Sequence, residues 1–142
     1  MNYATLTQAP LTKAQEAAMT EEQKLGRELL AKYGLNQIQV NAIVYEALTE
    51  ANRAAREALI RYGDRDACGF AWVNIYGVKG NTKLGKMFKA AGLRQDYTKA
   101  FQIWNPSKLG VQSVGILEEG ARAAADVFRK YGFEAYAGSR LD

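Results

Sequence analysis

Between Tyr62 and Cys68 the spacing of apolar residues changes from a helical period to alternation in twos. Val40, Ile43, Val44, Ala47, Leu48, Ala51, Ala54, Ala55, Ala58, Leu59 and Tyr62 recur as one face of a helix does. Cys68 to Tyr76, CGFAWVNIY, alternates as a half-buried strand does. A chain carrying both patterns must bury a helical stripe and a sheet face, which defines an α+β protein.

The first half reads as a helical hairpin over residues 1–66. Thr20-Glu21-Glu22-Gln23 fits a capping box, in which the threonine hydroxyl accepts from an early backbone N–H and the glutamine reaches back. Leu25, Leu29, Leu30 and Tyr33 follow at helical spacing, and Gly34 ends the run. Asn36 with Gln39 caps a second helix that Gly63 closes, at 1.5 Å per residue about 39 Å long. The short Gly34–Leu35 link makes the pair antiparallel. The narrow Ala-rich stripe admits a close neighbour, either within the chain or across a homo-oligomer. The opening MNYATLTQAP has neither a basic nor an apolar stretch, so no secretory signal is expected there.

Residues 67–142 read as β-α-β-β-α-β. Cys68–Tyr76 is the first strand. GVKGNT is a loop from which Asn81 or Thr82 caps a helix to Ala91. AFQIWN is a second strand, halted by Pro106, and GVQSV a short third. A helix from Ile116 to Tyr131 stops at Gly132, and FEAYAGS is the last strand. This order is the split β-α-β, ferredoxin-like pattern. Alternation sends Ala71, Val73, Ile75, Phe101, Ile103, Ala135 and Ala137 to the helix side. It sends Phe70, Trp72, Asn74, Tyr76, Ala100, Gln102, Trp104 and Tyr136 to the other.

The missing residues limit the chemistry. The chain has no histidine and one cysteine, so Ser–His–Asp and Cys–His catalysis are closed to it, as is a thiolate zinc site. No catalytic residue, metal or cofactor is assigned. Asp64 and Asp66 are the one close aspartate pair, read as a solvated turn, with a magnesium-dependent carboxylate enzyme as the minor alternative. No stretch of about 18 apolar residues exists, so no membrane span or membrane partner is expected.

Charge is uneven. Residues 1–66 carry 8 basic and 9 acidic side chains, and residues 67–142 carry 11 and 6. Lys79, Lys83, Lys86, Lys89, Arg94, Lys99 and Lys108 crowd one stretch against Asp96 alone, a pattern that attracts polyanions. Gly80 to Lys86 matches G-x-x-x-x-G-K, but Met87 stands where a P-loop needs Ser or Thr. A weaker anion site at the helix start, or a solvated basic face, are the readings left. Aromatic rings beside such a loop stack the bases of single strands or nucleotides. The candidate ligand-binding residues are therefore Trp72, Asn74, Tyr76, Lys79, Lys83, Lys86, Lys99, Gln102, Trp104 and Tyr136. Arg140 joins them as a bidentate partner for phosphate, although the end of a chain commonly frays. The same face has a second reading, in which the helical hairpin or another subunit covers it.

CGFAWV, IWNPS, EEGARAAADVF and YAGSRLD together resemble a set of small tailed-bacteriophage proteins with a helical N-terminal region. The likeness covers residues 67–142. It implies a phage gene expressed in an infected bacterial cytoplasm, and it carries no catalytic or binding residue with it. It adds a function of another class, an anti-defence or host-takeover protein that binds a host protein or sequesters a signalling nucleotide. An oligomeric assembly protein is the third reading.

Overall fold

The computed structural model describes residues 20–142. The expectation about a secretory signal falls outside these residues. Two helices come first, α1 (Glu21–Tyr33) and α2 (Gln37–Tyr62). Then follow β1 (Gly69–Tyr76), α3 (Lys83–Ala90), β2 (Arg94–Gln95), β3 (Phe101–Trp104), α4 (Val114–Lys130) and β4 (Glu134–Leu141). Both capping boxes form. Thr20 accepts from the Gln23 amide and Asn36 from the Gln39 amide, while each glutamine side chain accepts from the cap's own N–H.

The protein is α+β. One antiparallel sheet has the order β2-β3-β1-β4. Val73, Ile75, Phe101 and Ala135 face the helices and are fully buried. They share one core with Leu30, Val40, Ile43, Val44, Ala47, Ala51, Phe88 and Phe128, so the hairpin and the sheet bury their apolar surface together. Phe88 sits among rings, 5.2 Å from both Phe101 and Phe133.

The Ala-rich stripe of α2 is used inside the chain. Ala47, Ala51 and Ala55 are fully buried, and α2 crosses α4 at Gly120. A Cβ there would stand 3.2 Å from the Ala51 carbonyl oxygen and 3.4 Å from the Ala55 methyl. Of the two uses expected for the stripe, packing within the chain is the one found, and a homo-oligomer built on this stripe loses its surface. A second tie joins α2 to the end of α4. Glu46 accepts from the Tyr131 hydroxyl at 2.6 Å and from Lys130. Burial pushes the Glu46 carboxyl up, but these bonds outweigh it and hold it below the usual carboxylate range. The same contact raises Lys130 and Tyr131.

The expected strand GVQSV is replaced by a loop with a single bridge, Cys68 to Ser113. The reason lies in the aspartate pair. Asp64 accepts from the Ser113 amide at 2.8 Å and from the Gln112 amide at 3.4 Å, and Asp66 accepts from the Gly115 amide at 3.0 Å. The Gln112 and Ser113 amides thus go to Asp64, while the Val114 amide still donates to the Ala67 carbonyl at 2.9 Å, and α4 begins at Val114. Ser113 makes no side-chain cap, so the two aspartates cap α4 from the α2–β1 loop. Both aspartates are exposed in the connection between α2 and β1, as the turn reading expected, and they also cap the helix. Asp66→Ala should cost about 1 kcal/mol by urea denaturation, as lost helix caps do.

The sheet's other edge strand, β2, follows Leu93 and was not expected. It turns into β3 through a loop organised by Asp96, which accepts from the Thr98 amide, the Thr98 hydroxyl and the Ala100 amide at 2.8, 2.6 and 3.1 Å. Burial raises the Asp96 carboxyl, and these three donors outweigh it and lower it. Two inside–outside expectations also change. Ala100 is buried, because Lys99 before it takes a left-handed φ of 71° and breaks the alternation. Ala137 is exposed, although Ala135 on the same strand is buried.

Candidate functional site

The helices lie on one side of the sheet, and the opposite side keeps its rings partly in solvent. Phe70, Tyr76, Trp104 and Tyr136 are 38, 37, 45 and 44% exposed, and Trp72 is half-buried. Among the described residues, α1 and α2 therefore do not cover this face. The pairing explains its composition. Trp72 stands opposite Trp104 on β3 and Gly138 on β4, and Asn74 stands opposite Gln102 and Tyr136. The two indoles are 5.0 Å apart and tilted by 32°, and Phe70 meets Trp104 edge-on at 5.9 Å. Trp72 lies across Gly138, where a Cβ would come within 2.6 Å of the indole ring. Glycine at 138 is what lets the ring lie flat on β4.

Arg140 does not fray away. It is part of β4, opposite Phe70, and its guanidinium lies 5.4 Å from the Phe70 ring and 5.7 Å from the Trp104 ring. The aromatic surface thus carries its own cation. At the other end Tyr76 and Tyr136 are 6.1 Å apart, with the Arg129 guanidinium 5.8 Å from Tyr136. Between the two ring groups sit the amides. Trp104 Nε1 donates to Gln102 Oε1, and Asn74 Nδ2 donates to the Tyr76 hydroxyl at 3.2 Å. Asn74 Oδ1 is buried and accepts from no donor among the described residues.

Beside Tyr76 the sheet opens into a cleft of about 800 Å³. Lys79, Lys86, Lys89 and Lys99 line it with Tyr76, Gly80, Asn81, Gln95 and Thr98. Lys79, Lys86 and Lys99 were expected from the sequence and are brought together. Lys83 was expected too, but the exposed first residue of α3 is not among the lining residues. Lys89 takes its place. It is three residues after Lys86 on the helix, and its ammonium donates to the Gly80 carbonyl at 3.1 Å. Its spacing from Lys86 was the available signal. Gln95 and Thr98 went unrecognised because β2 and its turn did.

The G-x-x-x-x-G-K stretch is not a phosphate cradle. Thr82 caps α3, accepting from the Gly85 amide at 3.1 Å and donating to the Lys79 carbonyl at 2.6 Å. Gly85 is needed because a Cβ would overlap that same carbonyl. The glycine serves loop closure, and the positive charge of the cleft comes from side chains. A smaller cleft of about 420 Å³ lies at the far end, lined by Phe70, Trp104, Leu109, Gly110 and the free Cys68.

Among the described residues no group of three or more His, Cys, Asp or Glu side chains could hold a metal ion. No described helix is long and apolar enough to cross a membrane. Comparison with protein-family models, with curated proteins and with solved structures finds no match to this chain.

Proposed function

We propose that this protein is a non-catalytic binding module for single-stranded nucleic acid or a nucleotide, built on a ferredoxin-like split β-α-β frame. Bases stack on Trp72, Trp104, Tyr76 and Tyr136, and phosphates meet Lys79, Lys86, Lys89 and Lys99. Asn74 and Gln102 offer amides to base edges, and Arg140 stacks or pairs with phosphate at the far end. The observation that carries this reading is continuity: Tyr76 belongs both to the uncovered ring face and to the wall of the lysine-lined cleft. Rings give sequence-tolerant stacking and lysines give charge, the combination that single strands require. The resemblance to tailed-phage proteins supplies the setting, an infected bacterial cytoplasm.

Tryptophan fluorescence tests it, because both indoles lie in the site. Titration with a short oligothymidylate at low salt should quench the emission. Trp104→Ala should weaken binding by about 1–3 kcal/mol, the worth of one stacked base, with an unchanged far-UV circular dichroism spectrum. Emission that stays flat with oligonucleotides and with nucleoside triphosphates alike would remove the proposal. Quenching by the triphosphates alone would favour nucleotide sequestration over strand binding.

A further inference from the structure

Given the binding function above, on which this rests, we propose that the ligand is a strand of several nucleotides and not a single nucleotide, and that its far end enters the small cleft beside Trp104. Two ring groups share the uncovered face, and each has its own guanidinium. Arg140 lies over Phe70 and Trp104, and Arg129 lies beside Tyr136. The lysine-lined cleft adjoins the tyrosine group through Tyr76. The small cleft adjoins the other group through Phe70 and Trp104. The rings therefore form one path with a cleft at each end.

The length of that path exceeds one nucleotide. Phe70, Trp72, Asn74 and Tyr76 follow one another on the ring side of β1. At about 3.3 Å per residue, the distance from Phe70 to Tyr76 is roughly 20 Å. A stacked strand advances about 3.4 Å per nucleotide, so the path takes about six stacked nucleotides, and fewer where bases splay apart. A mononucleotide held by its phosphates among the lysines places its one base on Tyr76 and Tyr136. It leaves Trp72, Trp104 and the small cleft unused. Between the ring groups Gln102 stands opposite Asn74 and turns its carbonyl oxygen to Trp104 Nε1, so its amide nitrogen is the group offered to a base passing over it.

The two clefts differ in charge, and that difference fixes what each end holds. Lys79, Lys86, Lys89 and Lys99 line the first, which suits phosphates. The small cleft has no lysine or arginine in its lining; Leu109, Val111 and Leu117 stand there with Phe70 and Trp104, and its one carboxylate side chain is that of Asp142. A carboxylate repels phosphate, whereas apolar walls with a few polar groups are what a planar ring enters. The small cleft therefore takes a base, with Arg140 over the rings that lead to it.

Calorimetric titration of the full chain at low salt tests this with thymidine triphosphate and with oligothymidylates of increasing length. Affinity should climb with length and level off by about six nucleotides, where it exceeds that of the triphosphate. Trp104→Ala should weaken the hexanucleotide by about 5- to 150-fold, the worth of one stacked base, and leave the triphosphate unchanged. Gly110 lines the small cleft, and a Cβ there meets nothing within 4 Å, so Gly110→Phe narrows the cleft without disturbing the fold. It too should weaken the hexanucleotide alone. A triphosphate that binds as tightly as the hexanucleotide overturns the strand assignment and leaves the binding function standing. Equal losses for both ligands in Trp104→Ala, or no loss in Gly110→Phe, overturn the far half of the path. No binding of any of these ligands removes the inference together with the function beneath it. Should Trp104→Ala fail to fold, Arg140→Gln carries the same expectation from an exposed side chain over the same ring.

Discussion

Exchanging Lys79, Lys86, Lys89 and Lys99 together for glutamine is expected to remove most of the salt dependence of oligonucleotide binding. Each lysine that meets a phosphate of a single strand contributes about 0.7 to the slope of log affinity against log salt. Four such contacts amount to a slope of about 3. The unaltered protein should therefore lose roughly 50-fold in affinity between 50 and 200 mM salt, and the fourfold variant should lose little. The comparison is more informative than affinity at one salt concentration, because stacking on the rings is retained in the variant. Equal slopes for the two proteins would mean that the cleft does not meet phosphate. Lys83→Gln serves as the control, since that side chain does not line the cleft and should leave the slope unchanged.

The largest effect on stability is expected at Phe88. Its ring is 1% exposed and packs against Phe101 and Phe133, joining α3 to the sheet. Phe88→Ala should cost about 3–5 kcal/mol by chemical denaturation, from lost transfer energy and the cavity left behind. A domain is typically stable by only about 5–15 kcal/mol, so this one ring accounts for a substantial share. Lys86 and Lys89 flank it on the same helix. Loosening α3 should therefore weaken ligand binding as well, in proportion to the population unfolded. A cost below about 1 kcal/mol would show that the aromatic core can collapse around the vacancy.

The helices, both capping boxes and the outward rings of β1 and β3 were legible because each rests on local chemistry. Thr20 and Asn36 precede their glutamines at the required spacing, and CGFAWVNIY alternates without interruption. What could not be read depended on partners distant in sequence. Nothing local distinguishes Arg94–Gln95 as a strand; it forms because Asp96 ties a turn that sets Arg94 and Gln95 against Gln102 and Phe101. GVQSV has the pattern of a strand, yet one carboxylate, Asp64, 48 residues before Gln112 and 49 before Ser113, claims the amides of both. The site followed the same rule. The ring face was visible from alternation, whereas membership of the lysine cleft depended on where β2 and its turn fold. Lys83 and Lys89 exchange roles for that reason.

The aspartates that cap α4 reach it from the connection between the hairpin and the sheet. Cleaving the chain at that connection would free a helix end from its counter-charge and strip the shared core of α2 at once. The two halves should accordingly melt as one cooperative unit, with no temperature at which the sheet persists after the hairpin has gone.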